Sequence, residues 1–419
     1  VRHEGVRRTL VVCPTSLKQQ WRREIQRFTG EDAAVLEGPA SRRRAAYREG
    51  GSWTIVSYEQ VLRDLDAITS ELAPDLLVLD EAQRIRNWRT KTAEAIKRIP
   101  TRYAFVLSGT PLENRLEDLY SVVQVVDQRA LGPLWRFMVR FHVVDPRGKV
   151  VGYRNLSELR ARLAGVMLRR DRRVVRDQLP DRISQRRDVG LDPRQRKIHD
   201  ASVAAAAQLS AKRARDGRLS PGDQRRLLAS LQRARMACNA ASLVDAEAPP
   251  GSPKLDELRR LLDELSVDGG HKVVVFSQWE RMTVLAEQTV TELGLGCVRL
   301  HGGVPSAKRG ALIERFRDDP ECHVFLSTDA GSTGLNLQHA SAVIQLDLPW
   351  NPAVMAQRIA RVHRLGATEP VHVVSIVAAD AYETRVASLL NVKRRLFAAV
   401  VEGEGEVDEL PLTQANVAA

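Results

Sequence analysis

The sequence predicts an α/β protein made of two doubly wound, parallel-sheet lobes with a helical insertion. Three observations carry that expectation. Short apolar runs alternate with amphipathic stretches over residues 8–180, and the same rhythm resumes after Ser252. The residues between, 181–252, have helical composition, many arginines and no strand signal. Strands alternating with helices form a parallel sheet covered on both faces.

In the first lobe, RTLVVCP (Arg8 to Pro14), WTIVSY (Trp53 to Tyr58), LLVLD (Leu76 to Asp80) and YAFVLSG (Tyr103 to Gly109) are short, rich in branched or aromatic residues, and bounded by Pro, Gly and Asp. Such runs read as buried parallel strands. SLKQQWRREIQRF (Ser16 to Phe28) and KTAEAIKRI (Lys91 to Ile99) supply helices between them. In the insertion, IHDASVAAAAQLSAKRARDG and DQRRLLASLQRARMACNAASL read as helices, and EAPPGSP (Glu247 to Pro253) then breaks the chain. KLDELRRLLDEL opens the second lobe with leucines at helical spacing. Its strands are KVVVFS (Lys272 to Ser277), CVRLHG (Cys297 to Gly302), HVFLSTD (His323 to Asp329), AVIQLD (Ala342 to Asp347) and VHVVSIV (Val371 to Val377). From Val401 the chain turns acidic and then featureless, which reads as a tail.

The 419 residues, 43% of them hydrophobic, suffice for more than one core. A charged fraction of 28% excludes a membrane-embedded or disordered class, and no apolar run is long enough to span a bilayer. A net charge of +12 fits a polyanionic partner, because each phosphate contact releases condensed counterions. It fits a protein that is merely basic equally well. Cys13, Cys238, Cys297 and Cys322 are widely separated with no C-x-x-C pair. That argues against a zinc site or a disulfide framework and for buried thiols in a reducing, intracellular setting.

Three segments carry candidate chemistry. LLVLDEAQ places Asp80 and Glu81 at the end of an apolar strand, where ligands of parallel sheets collect. Asp80 could hold Mg²⁺ and Glu81 polarise an attacking water, or the pair could cap the next helix. VLSGTPLENR sits at another strand end, its Gly109-Thr110-Pro111 turn either sensing a phosphate or simply turning the chain. QRIARVHRLG spaces Arg358, Arg361 and Arg364 for one helical face. That face either stabilises a phosphoryl transition state or is a solvated basic surface.

Their order is more informative than any one of them. Asp80-Glu81, then Ser108-Gly109-Thr110, then a second lobe ending in arginines resembles the layout of superfamily-two helicase motors. LVVCPTSLKQQWRREIQRF, DEAQRIRNWRTKTAEAIKRI, SGTPLENRLEDLYSVV, VMLRRDRRVVRDQLPDR, LQRARMACNAASLV, KVVVFSQW, RLHGGVPSAKRGALIERF and STDAGSTGLNLQHASAVIQLDLPWNPAVMAQRIARVHRLG narrow it further. In that order they resemble the SWI/SNF-type ATPases from Thr9 to about Leu390, with Gln83 and GKVVGYRNLSEL resembling bacterial branches.

The resemblance implies two RecA-like lobes: an ATP-binding lobe over 1–180, a helical insertion and linker over 181–252, a helicase C-terminal lobe over 253–405, and a tail over 406–419. It implies ATP and Mg²⁺ as cofactors, with Asp80 and Glu81 serving the metal and the hydrolytic water. Arg361 and Arg364 would be arginine fingers with Gln357 beside them. Gly109 and Thr110 would couple phosphate state to lobe movement, and Gly331, Gly334, Asn336 and Leu337 would shape the lobe-two loop. Lys18, Ser57, Tyr58, Ser277, Gln278, Ser327 and Thr328 would meet the DNA backbone, giving little sequence preference. Trp350 and Asn351 match a Trp-Asn-Pro signature, with packing or DNA contact both open for the Trp.

The implied activity is a DNA-dependent, monomeric ATPase motor that translocates on double-stranded DNA. It would displace RNA polymerase or another bound protein, in the cytoplasm at the nucleoid and with no membrane partner. An RNA or single-strand helicase and a degenerate, non-hydrolysing DNA- or RNA-polymerase-binding protein are the rival readings. Two departures stand out: Ala367 follows Gly366 where the family has Gln, and no G-x-x-x-x-G-K-[ST] loop occurs. In the family that loop precedes the segment matching Thr9 to Phe28, so lobe one is expected to be truncated at its N-terminus and the chain a fragment. By itself it is expected to hydrolyse ATP barely or not at all; substantial turnover, lost on Glu81→Gln, would overturn that.

Overall fold

The computed structural model describes residues 5–108, 115–146, 148, 150–168, 179–329, 335–364, 366, 367, 369–387, 390, 410 and 411. The chain divides into two compact units. One is Val1–Arg169 with Lys393–Gln414, and the other is Arg170–Val392 with Ala415–Ala419.

In unit 1 the strands β1 (Thr9–Cys13), β2 (Ala34–Val35), β3 (Trp53–Ser57), β4 (Leu76–Leu79) and β5 (Tyr103–Val106) form one sheet in the order β2-β3-β1-β4-β5. Every pairing in it is parallel. β1 and β4 are buried along their whole length, which is why they read as unbroken apolar runs rather than as an alternation. Helices α1 (Lys18–Thr29), α2 (Ala40–Glu49), α3 (Tyr58–Ala67) and α4 (Lys91–Lys97) connect them. Residues of one sheet face, with Tyr47, Val61 and Ile96, make one core; those of the other face pack with Leu17 and Ile25 of the α1 region. Register sets Cys13 beside Ser57, Val12 beside Leu79, and Leu79 beside Val106, so the carboxyl ends lie along one edge.

Unit 1 holds a third core that the sequence did not announce. Helices α5 (Leu116–Val126), α6 (Leu134–Phe141) and α7 (Leu156–Leu163) bury Tyr120, Phe137, Phe141 and Leu159. Beside them, β6 (His142–Val144) and β7 (Val150–Tyr153) pair antiparallel, and Leu410–Pro411 adds a short strand to β7.

Unit 2 has a six-stranded, all-parallel sheet. Its strands are β8 (Arg182–Val189), β9 (Val273–Phe276), β10 (Gly296–Leu300), β11 (Cys322–Ser327), β12 (Ala342–Gln345) and β13 (Val371–Ala378), in the order β10-β11-β9-β12-β13-β8. Helices α8 (Pro193–Asp216) and α9 (Pro221–Asn239) form a hairpin. After it come α10 (Pro253–Leu262), α11 (Glu280–Glu292), α12 (Ser306–Asp318) and α13 (Pro352–Ile359). One sheet face packs on α10 and α11 through Leu258, Leu262, Met282 and Val290; the other carries Phe316, Ile359 and Val362.

The two α/β sheets match the expected fold class. The segment 181–252 differs from its expectation, because its first residues form β8, paired along its full length with β13. Seven of the eight β8 residues are exposed. An edge strand with polar side chains carries no apolar run to read. The hairpin belongs to unit 2 together with β8. Among the described residues, no helix is long and apolar enough to cross a membrane.

Candidate functional site

In unit 1 the candidate chemistry collects where β4 and β5 end. Asp80 N donates to Val12 O at 2.9 Å and Leu107 N to Leu79 O at 2.7 Å, so the strands stay in register up to the acidic pair. Glu81 then takes a left-handed backbone conformation, φ 52° and ψ 50°. A residue with a side chain adopts it only when its surroundings impose it. Here Ala82 N is held by Leu107 O, and Tyr58 Oη donates to Asp80 O at 2.7 Å. The turn sends the chain into a short 3₁₀ helix, Ala82–Ile85.

Both Asp80 oxygens are oriented from within the unit. Oδ2 accepts from Trp21 Nε1 at 2.8 Å and Oδ1 from Glu81 N at 2.9 Å. Glu81 Oε2 accepts from Gln83 Nε2 at 2.6 Å, and Gln83 Oε1 accepts from Ser108 Oγ at 3.3 Å. The Asp-Glu-Ala-Gln run is therefore tied to the Ser-Gly-Thr segment through Gln83. Gly109 and Thr110 themselves lie outside the described residues.

The lobe-one residues expected at DNA turn inward instead. Lys18 is 3% exposed, and its Nζ donates to Leu36 O at 2.8 Å and Gln60 Oε1 at 2.6 Å. Burial lowers its pKa, with Glu37 opposing. Its ammonium ties the segment after α1 to α3. Ser57 is buried and caps α3 in a reciprocal arrangement with Gln60. Tyr58 is buried, and burial together with Asp80 raises its pKa.

Unit 2 repeats the plan at the carboxyl ends of β9, β11 and β12. Ser277 Oγ donates to Asp347 Oδ2 at 2.5 Å, and Gln278 N bonds the same carboxylate at 2.9 Å. Ser327 Oγ donates to Thr328 O, and Thr328 N to Leu300 O. Ser277, Ser327 and Thr328 are buried; of the residues expected at DNA in this unit, only Gln278 is exposed. The hydroxyls shape the strand ends and leave the surface to their neighbours.

The arginine motif differs from one shared helical face. Helix α13 ends at Ile359, and Arg361 and Arg364 lie in the turns that follow. Arg358 is 1% exposed. Its Nε and Nη2 grip Asp329 at 2.6 and 2.9 Å, Nη1 donates to Asp347 O at 3.1 Å, and Nη2 lies 3.4 Å from Asp347 Oδ1. Burial opposes its charge, but Asp329 and Asp347 outweigh burial and raise its pKa. The carboxylates pull Arg358 inward, which leaves Arg361 half-buried and Arg364 exposed. Leu337 N donates to Arg361 O at 2.9 Å and Arg364 Nη1 to Leu335 O at 3.4 Å. The arginine turn thus adjoins the segment with exposed Asn336 and buried Leu337; Gly331 and Gly334 lie outside the described residues. Gln357 is half-buried on α13.

Arg235, in the segment LQRARMACNAASLV, was not singled out from the sequence. It is 7% exposed, lies 5.0 Å over Trp350 and 5.8 Å over Trp279, and donates to Gln278 Oε1 and Leu348 O. Trp350 also meets Tyr382 edge-on, and Asn351 Oδ1 caps α13 by accepting from Ala353 N. Both halves of the Trp-Asn-Pro signature are packing and capping devices.

The family model of the SNF2-related domain matches residues 2–243, and that of the helicase conserved C-terminal domain matches residues 253–366. The chain belongs to the SNF2-related family. YwqA of Bacillus subtilis, a protein named as an ATP-dependent helicase/translocase, is 29% identical over 98% of this chain and 45% of its own length. The human SWI/SNF-related matrix-associated actin-dependent regulator of chromatin subfamily A member 1 is 28% identical over 96% of this chain and 39% of its own length. This SNF2-related chain spans less than half the length of those curated relatives. The SWI2/SNF2 ATPase core of Sulfolobus solfataricus, solved in complex with dsDNA, overlays with a TM-score of 0.46 at 26% identity, covering 96% of this chain and 84% of that one.

Proposed function

We propose that this chain works as the motor of a DNA-dependent ATPase that translocates on double-stranded DNA and displaces or remodels protein bound there. The observation that carries the reading is the acidic pair at the end of β4. Asp80 is oriented by Trp21 and the Glu81 backbone, and Glu81 is held in a left-handed turn and tied to Ser108 through Gln83. A site built only to cap a helix has no use for that relay. Relatives named as helicases and translocases support the motor class, and a net charge of +12 supports a polyanionic track.

The Asp80 carboxylate fits Mg²⁺. Each Asp80 oxygen accepts one hydrogen bond and keeps a further lone pair, an oxygen donor suited to a hard cation that fills its shell with water and phosphate. ATP with Mg²⁺ supplies the scissile phosphoanhydride and neutralises phosphate charge. Asp80 would hold the ion, Glu81 would orient and deprotonate the attacking water, and Gln83 would report the state of Glu81 to the Ser108 segment. Arg361 and Arg364 would stabilise charge on the transferred phosphoryl group. RNA polymerase or another DNA-bound protein at the nucleoid is the proposed obstacle, and a single copy the working unit.

The test is ATP turnover by the natural full-length protein with duplex DNA or RNA added, alongside displacement of a third strand from a triplex. Duplex DNA should stimulate turnover, and Glu81→Gln should lower it about 100-fold or more, the scale of a lost general base. Stimulation by RNA alone, or turnover indifferent to Glu81→Gln, would sink the reading.

A further inference from the structure

The α8–α9 hairpin carries charge that neither its packing nor the candidate site uses. Residues Pro193–Asn239 contain eleven Lys and Arg against three Asp in a chain whose net charge is +12; of the eleven, Arg194 pairs with Asp245 and Arg235 packs against Trp279 and Trp350. Only the base of the hairpin is packed. The buried residues of α8 are Gln195, His199, Ser202 and Ala206, with none beyond Ala206, and those of α9 other than Asp223 begin at Ala234. A 24-residue helix is about 36 Å long. Its distal half therefore projects from the unit.

The tip is built. Gly217, at φ 73°, ends α8 in a left-handed conformation, and Ser220 Oγ caps α9 by accepting from Asp223 N. Lys212 Nζ binds Asp223 at 2.7 Å across the hairpin, and Leu219 is buried under the turn. Asp223 takes Lys212, Asp216 takes Arg215, and Asp200 is bonded to His199. No acid of the hairpin is left for Arg213, Arg218, Arg225 and Arg233. All four are exposed, and among the described residues none has an ion-pair partner. Arg226, 4.0 Å from Asp223, lies seven residues from Arg233 on the same face.

We propose that the exposed arginines of the α8–α9 hairpin are a second DNA-contact surface that grips the phosphate backbone of duplex DNA, apart from the strand-end loops of the motor. This rests on the reading of the chain as a duplex-DNA motor. Like charges carried on one capped arm repel one another, and a polyanion relieves that repulsion. The face offers a protein partner little to bury: Leu228, 64% exposed, is the only large hydrophobic side chain exposed on the hairpin. Protein interfaces centre on aromatic and aliphatic anchors, whereas backbone contacts to DNA need only cations and polar donors.

The experiment is binding of the whole chain to a labelled duplex of arbitrary sequence, followed by anisotropy across a salt series. Each phosphate contact contributes about 0.9 to the slope of log affinity against log salt. Replacing Arg213, Arg218, Arg225 and Arg233 together by Gln should make the slope shallower by about 3 to 4, and Arg225→Gln alone by about 0.9. Replacing all four by Lys should leave it within about 1 of the parent. The single variant and the Lys set keep the question answerable if the fourfold Gln variant folds poorly. A parent that binds duplex with a slope the Gln variants leave unchanged sinks this inference alone, as does a hairpin-dependent slope seen only with RNA. A parent that binds no duplex sinks both this inference and the reading beneath it.

Discussion

At the scale of single residues, the Asp80 carboxylate is aimed by a neighbouring side chain, Trp21. Trp21 spends its indole N–H on Oδ2 at 2.8 Å, a hydrogen bond to a charged group. Such bonds stabilise by roughly 1.5–3 kcal/mol. Trp21→Phe keeps the ring's packing and removes the bond. In the full-length protein it should raise the Mg²⁺ concentration for half-maximal turnover several-fold and leave duplex affinity unchanged; an unchanged metal requirement would show that Trp21 only fills space. The thiols make a second prediction. Burial pushes Cys13 and Cys238 up to about 12, with Asp80 adding to the rise at Cys13, and pushes Cys297 up to about 11, from an ordinary value of 9.0. A raised folded pKa contributes stability that is complete below the unfolded value and lost as pH climbs through the folded one. Stability in urea should therefore fall from pH about 9 upward, and less steeply in the Cys13→Ala and Cys238→Ala variants. Alkylation near neutral pH should stay slow until the chain is unfolded; rapid labelling of the native chain would contradict the burial argument.

At the scale of elements, α13 shows how tertiary charge overrides helical spacing. Arg358, Arg361 and Arg364 are spaced to share a face, yet Asp329 and Asp347 draw the first into the core and the helix stops at Ile359. The same Asp347 accepts from Ser277 and Gln278, so one buried cluster binds α13 to the ends of β9, β11 and β12. Arg358→Ala leaves two carboxylates without their cation, and breaking a buried pair in that way costs about 3–5 kcal/mol. Arg235 gives α9 a comparable hold on the Gln278 loop, through one side chain between two tryptophans.

At the scale of the whole molecule, each unit has its own sheet with a core on both faces, and unit 1 adds the core around Phe137 and Phe141. Cores that share no residues can melt separately. Calorimetry should resolve two transitions, and Arg358→Ala should lower the one belonging to unit 2 by several degrees, in line with its expected cost, leaving the other in place. A single transition that shifts as one would show that the units unfold together.

Much of the fold and part of the site were legible in the residues. Buried parallel strands need apolar residues throughout, so β1, β3, β4, β9 and β11 to β13 announced themselves; β5 and β10 are equally apolar in sequence but only partly buried, and the strand-end positions of Asp80, Glu81 and Ser108 followed from these strands. What the strand-end side chains do was decided only by packing. Lys18, Ser57, Tyr58, Ser277, Ser327 and Thr328 are polar residues in an ordered series of motifs, and nothing local distinguishes a hydroxyl facing a phosphate from one facing a buried carboxylate. Burial does: an ammonium or hydroxyl excluded from water must find its partner inside, and here the partners are Leu36, Gln60, Asp80, Asp347 and the neighbouring backbone. The polar edge strand β8 and the inward turn of Arg358 were invisible for a related reason, since each depends on a partner far along the chain. Sequence alone determined the two-sheet architecture and the order of the motifs, because strand burial and helical spacing are local patterns; the tertiary structure decided which charges are spent inside and which, as on the α8–α9 arm, remain free to meet a polyanion.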